Sequence, residues 1–157
     1  MEPRWLDAEE QRTWRAFLGA TKLLFEQLDR ELQRDAGMPH AYYEILVVLS
    51  EAPRRTLRMS DLAARARSSR SRLSHAVAKL EAQGWIRRRP CPDDRRGQLA
   101  ELTDAGFSAL SAAAPGHVEG VRAHLFDQLS EEQLGQLRRI SEAVVRHLDG
   151  TRHRTSA

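Results

Sequence analysis

The chain has a single cysteine, Cys91, among 157 residues, so no internal disulfide framework can hold it. A lone thiol fits a reducing compartment, and the cytoplasm is the expected location. No uninterrupted run reaches the roughly 18 apolar residues of a spanning helix, so no membrane span is expected. The opening "MEPRWLDAEE" is acidic and lacks the apolar stretch of a signal peptide. There is no repeat, low-complexity tract or long linker. Missing too are a nucleophile elbow, a phosphate-binding loop, a Cys-x-x-Cys pair and a His-Glu-x-x-His pair. The expectation is a protein that is not an enzyme and carries no metal or other cofactor.

What is present is arginine. Arg outnumbers Lys 23 to 2, and the formal net charge of +3 hides a strong asymmetry. Between Arg54 and Arg96 there are thirteen Arg/Lys against four Asp/Glu, while the rest of the chain is mildly acidic. A cationic segment on an acidic body is the electrostatic footprint of a nucleic-acid binder. A solvated basic face, or a basic module that binds an acidic protein or a membrane surface, shares that footprint. "GWIRRRPCPDDRRGQLAELT", residues 84–103, is the densest part, with Arg87, Arg88, Arg89, Arg95 and Arg96 around a Pro-Cys-Pro-Asp-Asp knot.

The spacing of apolar residues predicts a mainly α chain with a small β-hairpin, in one domain over 1–157. Asp7 with Glu10 forms a capping-box pattern ahead of a helix bearing Trp14, Phe17, Leu18, Thr21, Leu24, Phe25, Leu28 and Leu32. Gly37 suits the end of that helix and Pro39 the start of the next, which carries Tyr42, Ile45, Leu46 and Leu49. "SEAPRRT" reads as a loop. Two short helices follow, with Ser60 and Ser69 as N-caps and Gly84 as the stop. "WIRRR" and "GQLAEL" form the hairpin strands. A further helix opens at Thr103 and Asp104 and carries Phe107, Leu110, Ala114, Val118, Val121 and Leu125, with Pro115 expected to kink or interrupt it. Ser130 to Gln133 is a second capping box, before Leu134, Leu137, Ser141, Val144 and Leu148. The tail "GTRHRTSA" is expected to fray.

On a helical wheel from Ser69 to Gln83, Leu73, Ala76, Val77 and Leu80 share one side. Ser71, Ser74, His75 and Ala78 share the other, flanked by Arg70 and Arg72. A helix entering the major groove needs such a face: small side chains permit close approach, and hydroxyl, imidazole and guanidinium groups reach phosphates or base edges. An ordinary amphipathic surface helix has the same wheel, but the preceding short helix, the turn and the basic hairpin favour double-stranded DNA. The hairpin tip, Asp94, Arg95 and Arg96, places an arginine for the minor groove, with the aspartate expected to hold its guanidinium. A plain salt-bridged turn is the alternative.

Residues 59–106 resemble the MarR family of bacterial transcriptional regulators. The pattern appears as Leu62-Ala63, the serine-rich helix from Ser69 to Ser74, Leu80-Glu81-Gln83-Gly84, Arg87-Arg88, Asp94 to Arg96, and Leu102-Thr103-Gly106. The resemblance implies a homodimeric winged helix-turn-helix with terminal dimerisation helices, about 7–36 and 103–149, around a DNA-binding lobe of about 40–102. It implies a sequence-specific repressor, with Arg96 as the minor-groove arginine and Asp94 as its positioning partner. The turn "RARSS" is more basic and polar than the family's usual one.

The resemblance also implies a small-molecule effector, anionic or aromatic, bound between dimer body and lobe. Trp14, His40, Tyr42 and Tyr43 are the candidate ligand-binding residues, although plain core or dimer-interface packing is the favoured explanation of them. Cys91, in the wing between prolines, is expected to be incidental rather than a redox sensor. His117 and His124 lie seven apart, on one helical face, but no spacing supports a metal site.

Overall fold

The computed structural model describes residues 1–155, with side chains described through Arg152. Six helices and a three-stranded sheet are present among them. The chain divides into two compact units, Met1–Val118 and the segment from Glu119 onward.

Helix α1, Ala8–Ala36, opens on the expected capping box: Asp7 accepts from the Glu10 amide, and Glu10 accepts from the Asp7 amide. Gly37 caps its end in the left-handed conformation. Helix α2, His40–Glu51, starts behind Pro39, which offers no capping side chain. Asp29 of α1 supplies the acceptor instead, taking the His40 amide hydrogen bond at 2.8 Å. One carboxylate thus satisfies a helix start and ties the two helices together.

The segment read as a loop is more ordered than expected. A 3₁₀ turn, Pro53–Arg55, leads into strand β1, Thr56–Arg58. Arg54 and Arg55 have φ of 54° and 53°, a costly region for residues with a Cβ. Arg55 is held there by lying over the Phe107 ring, 3.7 Å from its centroid, and by pairing with Asp104 at 3.4 Å. Three residues are too few to show a period-2 pattern, and β1 exists through its pairing with a distant strand.

Helix α3, Met59–Arg65, begins at Met59 with Arg58 in the N-cap position, so Ser60 is not the cap. The strand runs directly into the helix and leaves no residue free to turn at Ser60. Helix α4, Arg70–Ala82, has Ser69 as its cap, accepting from the Arg72 amide. Gly84 (φ 76°) follows, in a conformation that a side chain would strain. Strands β2, Ile86–Cys91, and β3, Asp94–Leu102, form the wing, longer than expected and joined by Pro92 and Asp93 alone. The antiparallel sheet has the order β1-β3-β2. Its register puts Leu57, Ile86, Ala100 and Leu102 into the core and turns Arg87, Arg89 and Glu101 to the other face.

The core of the first unit joins Leu32, Leu46, Leu49, Leu62, Leu73, Val77, Leu80 and Ile86, all nearly inaccessible. Each such side chain contributes about 1.5–3 kcal/mol by leaving water. Helix α5, Asp104–His124, continues through Pro115 rather than breaking. Ser111, whose carbonyl loses its amide partner, and Pro115 are both exposed, so solvent can satisfy the oxygen. The stripe of α5 that enters the core is Gly106, Leu110 and Ala113; Leu110 is buried as expected, whereas Phe107 and Val118 are exposed. Gly106 is required by close approach, because a Cβ there would sit 2.2 Å from the Trp85 carbonyl oxygen. Thr103 completes this joint: its amide donates to Trp85 O, its hydroxyl donates to Gly84 O at 2.6 Å, and the same hydroxyl accepts from Gly106 N.

In the second unit, the Ser130–Gln133 capping box starts α6, Glu131–Thr155. The helix continues into the tail that was expected to fray; Ser156 and Ala157 lie outside the described residues. Ile140, Val144 and Leu148 expose more than half of their surface on α6, as do Trp14, Phe17 and Phe25 on α1. No described helix is long and apolar enough to cross a membrane.

Candidate nucleic-acid interface

Helix α4 buries Leu73, Ala76, Val77 and Leu80, and the opposite face stays open. Ser69, Arg70, Ser71, Arg72, Ser74 and His75 are all exposed. Ser69 is partly committed, since its hydroxyl caps the helix.

The wing sorts its arginines into two groups. Arg87 and Arg89 both reach Glu101, at 3.2 and 3.1 Å. Glu81 of α4 accepts from the Arg88 amide at 3.0 Å and from its guanidinium at 3.1 and 3.3 Å. These hydrogen bonds hold the Glu81 carboxyl below the ordinary carboxylate range. Three of the five wing arginines are therefore spent on the fold. Arg95 and Arg96 are exposed and make no ion pair among the described residues.

Their presentation comes from an irregularity in the ladder. Pro90 pairs with Gln98, yet the next residue, Cys91, pairs with Asp94. Arg95, Arg96 and Gly97 are thus extruded from the pairing, as in a bulge. Asp94 shapes this excursion, but not as expected. Its Oδ1 accepts from the Arg96 backbone amide at 3.0 Å rather than gripping the guanidinium. The carboxylate fixes the backbone and leaves the arginine head unpaired. A Cβ on Gly97 would approach Asp94 Oδ2 to 3.3 Å, so the turn is tight. Cys91 closes the hairpin and is only 6% exposed, which keeps its thiol from solvent oxidants.

Helix and wing meet across an open cleft of about 430 Å³. Arg70 and Ser74 line it from α4, and Asp94 and Arg96 from the wing. Arg58, Ser60 and Gln98 line it as well; the sequence pattern had marked Ser60 only as a helix cap and gave none of the three a place at DNA. Ser71, Arg72, His75 and Arg95 lie outside its lining.

A second cavity of similar volume is lined by His40, Tyr43, Glu44, Arg65, Arg67 and His117. Two of the candidate ligand residues, His40 and Tyr43, are therefore brought together. Tyr42 is half-buried outside this lining, and Trp14 lies on α1 against Phe17, half exposed. The His117 ring lies 4.4 Å from that of Tyr43 and 5.4 Å from that of His40. Its Nδ1 is buried without a hydrogen-bond partner. Burial, then the neighbouring His40, pushes the His117 pKa below the ordinary imidazole value, and burial raises that of the Tyr43 phenol. Arg65 and Arg67 carry no local mark that links them to this cavity, and sequence spacing had coupled His117 only with His124. Among the described residues no cluster of three or more His, Cys, Asp or Glu could hold a metal ion.

A short helix, a turn, an exposed polar helix and a bulged basic hairpin on one sheet define a winged helix-turn-helix protein. The MarR family profile matches residues 36–97. The chain is 57% identical to Sco3205, a MarR family transcriptional regulator from Streptomyces coelicolor whose structure was solved in complex with DNA. The two superpose with a TM-score of 0.91 over 93% of this chain and 92% of that one. AbsC, a MarR family regulator from the same organism, is 42% identical, with a TM-score of 0.89 over 94% and 99% of the two chains. The regulator PecS of Dickeya dadantii (strain 3937) is 37% identical over 82 residues, 52% of this chain; the match spans about half, 49%, of PecS. The chain belongs to the MarR family.

Proposed function

We propose that this chain is a non-enzymatic, cytoplasmic, sequence-specific DNA-binding regulator, a homodimeric repressor released by a small-molecule effector. The shared cleft carries the reading: it sets the exposed face of α4 beside an unpaired Arg96 on the wing. In this reading Arg70, Ser71, Arg72, Ser74 and His75 serve the major groove, with Ser69 at the helix start. Arg96, with Arg95 beside it, enters the minor groove, where narrow A·T-rich geometry strengthens the negative potential. Asp94 acts through the backbone it holds. The chain works as one functional domain, with α1, α5 and α6 supplying the dimer contacts. Their exposed apolar residues support this, since a lone chain leaves Phe17, Phe25, Ile140 and Leu148 in water. The cavity at His40 and Tyr43 suits an anionic aromatic effector, because Arg65 and Arg67 supply cations and Tyr43 an aromatic wall.

The test is selection of bound genomic fragments, followed by binding measurements across salt. The expected result is a near-palindrome with half-site centres about 10 bp apart and affinity falling steeply with salt. An insertion of about five base pairs should abolish tight binding, since it rotates one half-site by about half a turn. Binding indifferent to sequence and spacing would favour a basic module for acidic partners. A monomer at micromolar concentration by light scattering would remove the two-fold docking.

A further inference from the structure

In a duplex, one phosphodiester strand separates a major groove from the neighbouring minor groove. A protein with a helix in one and a wing in the other straddles that strand, so whatever lies between helix and wing faces phosphate. Here that space is the cleft between α4 and the wing, and a third element completes its wall: the β1–α3 junction, with Arg58 and Ser60. Gln98, where β3 rejoins the ladder next to Leu99, the cross-strand partner of Arg58, lines it too.

The chemistry of this wall suits an anion. Three guanidinium groups, Arg58, Arg70 and Arg96, line the cleft against one carboxylate, Asp94, which already accepts from the Arg96 amide. All three arginines are exposed, and none is in an ion pair among the described residues, in contrast to Arg55, Arg87, Arg88 and Arg89. Ser60 and Gln98 are exposed and add neutral donors. We infer that Arg58, assisted by Ser60 and Gln98, clamps a backbone phosphate of the strand between the two grooves. The inference rests on the DNA-binding reading and adds three residues to it. Arg58 sets the register of helix and wing on the duplex and reads no base.

The experiment uses the full-length chain and an operator selected from genomic fragments. Arg58→Ala should weaken binding by a similar factor on the operator and on its base-substituted variants. The slope of log affinity against log salt should shrink by about 0.9 per lost phosphate contact, hence about 1.8 for a dimer. Arg58→Lys should keep the slope, and a circular-dichroism melt should show both variants folded. Methylphosphonate replacement at single positions should find one phosphate per half-site whose neutralisation weakens wild type but not Arg58→Ala. If wild type binds and folded Arg58→Ala keeps its affinity and salt slope, the clamp is wrong. A loss that depends on base sequence, or additive effects at every methylphosphonate, also overturns it. If wild type binds no duplex at all, the DNA-binding reading falls and takes the clamp with it.

Discussion

Glu81 of helix α4 holds Arg88 of the wing twice, through the Arg88 backbone amide at 3.0 Å and through its guanidinium at 3.1 Å. In the proposed docking, helix and wing enter neighbouring grooves in one geometry, and this pair joins them. Glu81→Ala should cost about 1 kcal/mol in chemical denaturation, a modest value because the pair is partly solvent-screened. It should also weaken operator binding, although Glu81 is not proposed to touch DNA. The carboxyl has a depressed pKa in the fold, so its contribution is present above the unfolded value of about 4.3 and is lost as pH falls through the lower folded value. Glu81→Gln should flatten that acid limb. An unaltered limb would show that other carboxylates govern it.

Arg96→Ala should weaken binding across all operator variants and reduce the salt slope, since a minor-groove cation is lost. Ser74→Ala or His75→Ala should instead change preference among major-groove bases. Asp94→Ala should partly mimic Arg96→Ala, because the bulge loses the acceptor of the Arg96 amide. An Arg96→Ala dimer with unchanged affinity and salt slope would return the wing tip to a plain surface turn.

His117 should make stability fall on mild acidification. The fold keeps its imidazole neutral, through burial and the adjacent His40, while Glu31 pulls weakly the other way. The unfolded chain takes up the proton near pH 6.5, so this contribution is complete above that value. It declines as pH drops from there toward the lower folded pKa. Urea melts between about pH 7 and pH 5 should show the decline, and His117→Leu should reduce it. Equal slopes in both proteins would assign the effect elsewhere.

Gly106→Ala should disturb the joint between wing and α5. The added methyl would collide with the Trp85 carbonyl at 2.2 Å and with Leu102 Cδ1 at 2.7 Å. Overpacking of this kind costs about 1–3 kcal/mol, which urea denaturation can read directly. A variant as stable as wild type would mean that α5 shifts freely against the wing base.

Much of this protein is local, and local features are legible in a sequence. The capping boxes at Asp7 and Ser130 need residues three apart, and both formed as their patterns require. The wheel of α4 separated its buried and open faces because helical period alone decides which residues share a side. Charge density located the basic lobe without any structure.

Tertiary structure decided what depends on distant partners. Helix α5 carries two apolar stripes, and only packing chose Gly106, Leu110 and Ala113 over Phe107 and Val118. Strand β1 has too few residues to announce itself and is made by its pairing with β3. Five wing arginines look alike in the sequence; Glu81 and Glu101 engage three, and the bulge presents the other two. His40 and His117 meet because α2 and α5 pack together, whereas sequence spacing had coupled His117 with His124. Period and capping act over one turn of chain, whereas burial and ion pairing answer to whichever residues the fold brings within a few ångströms.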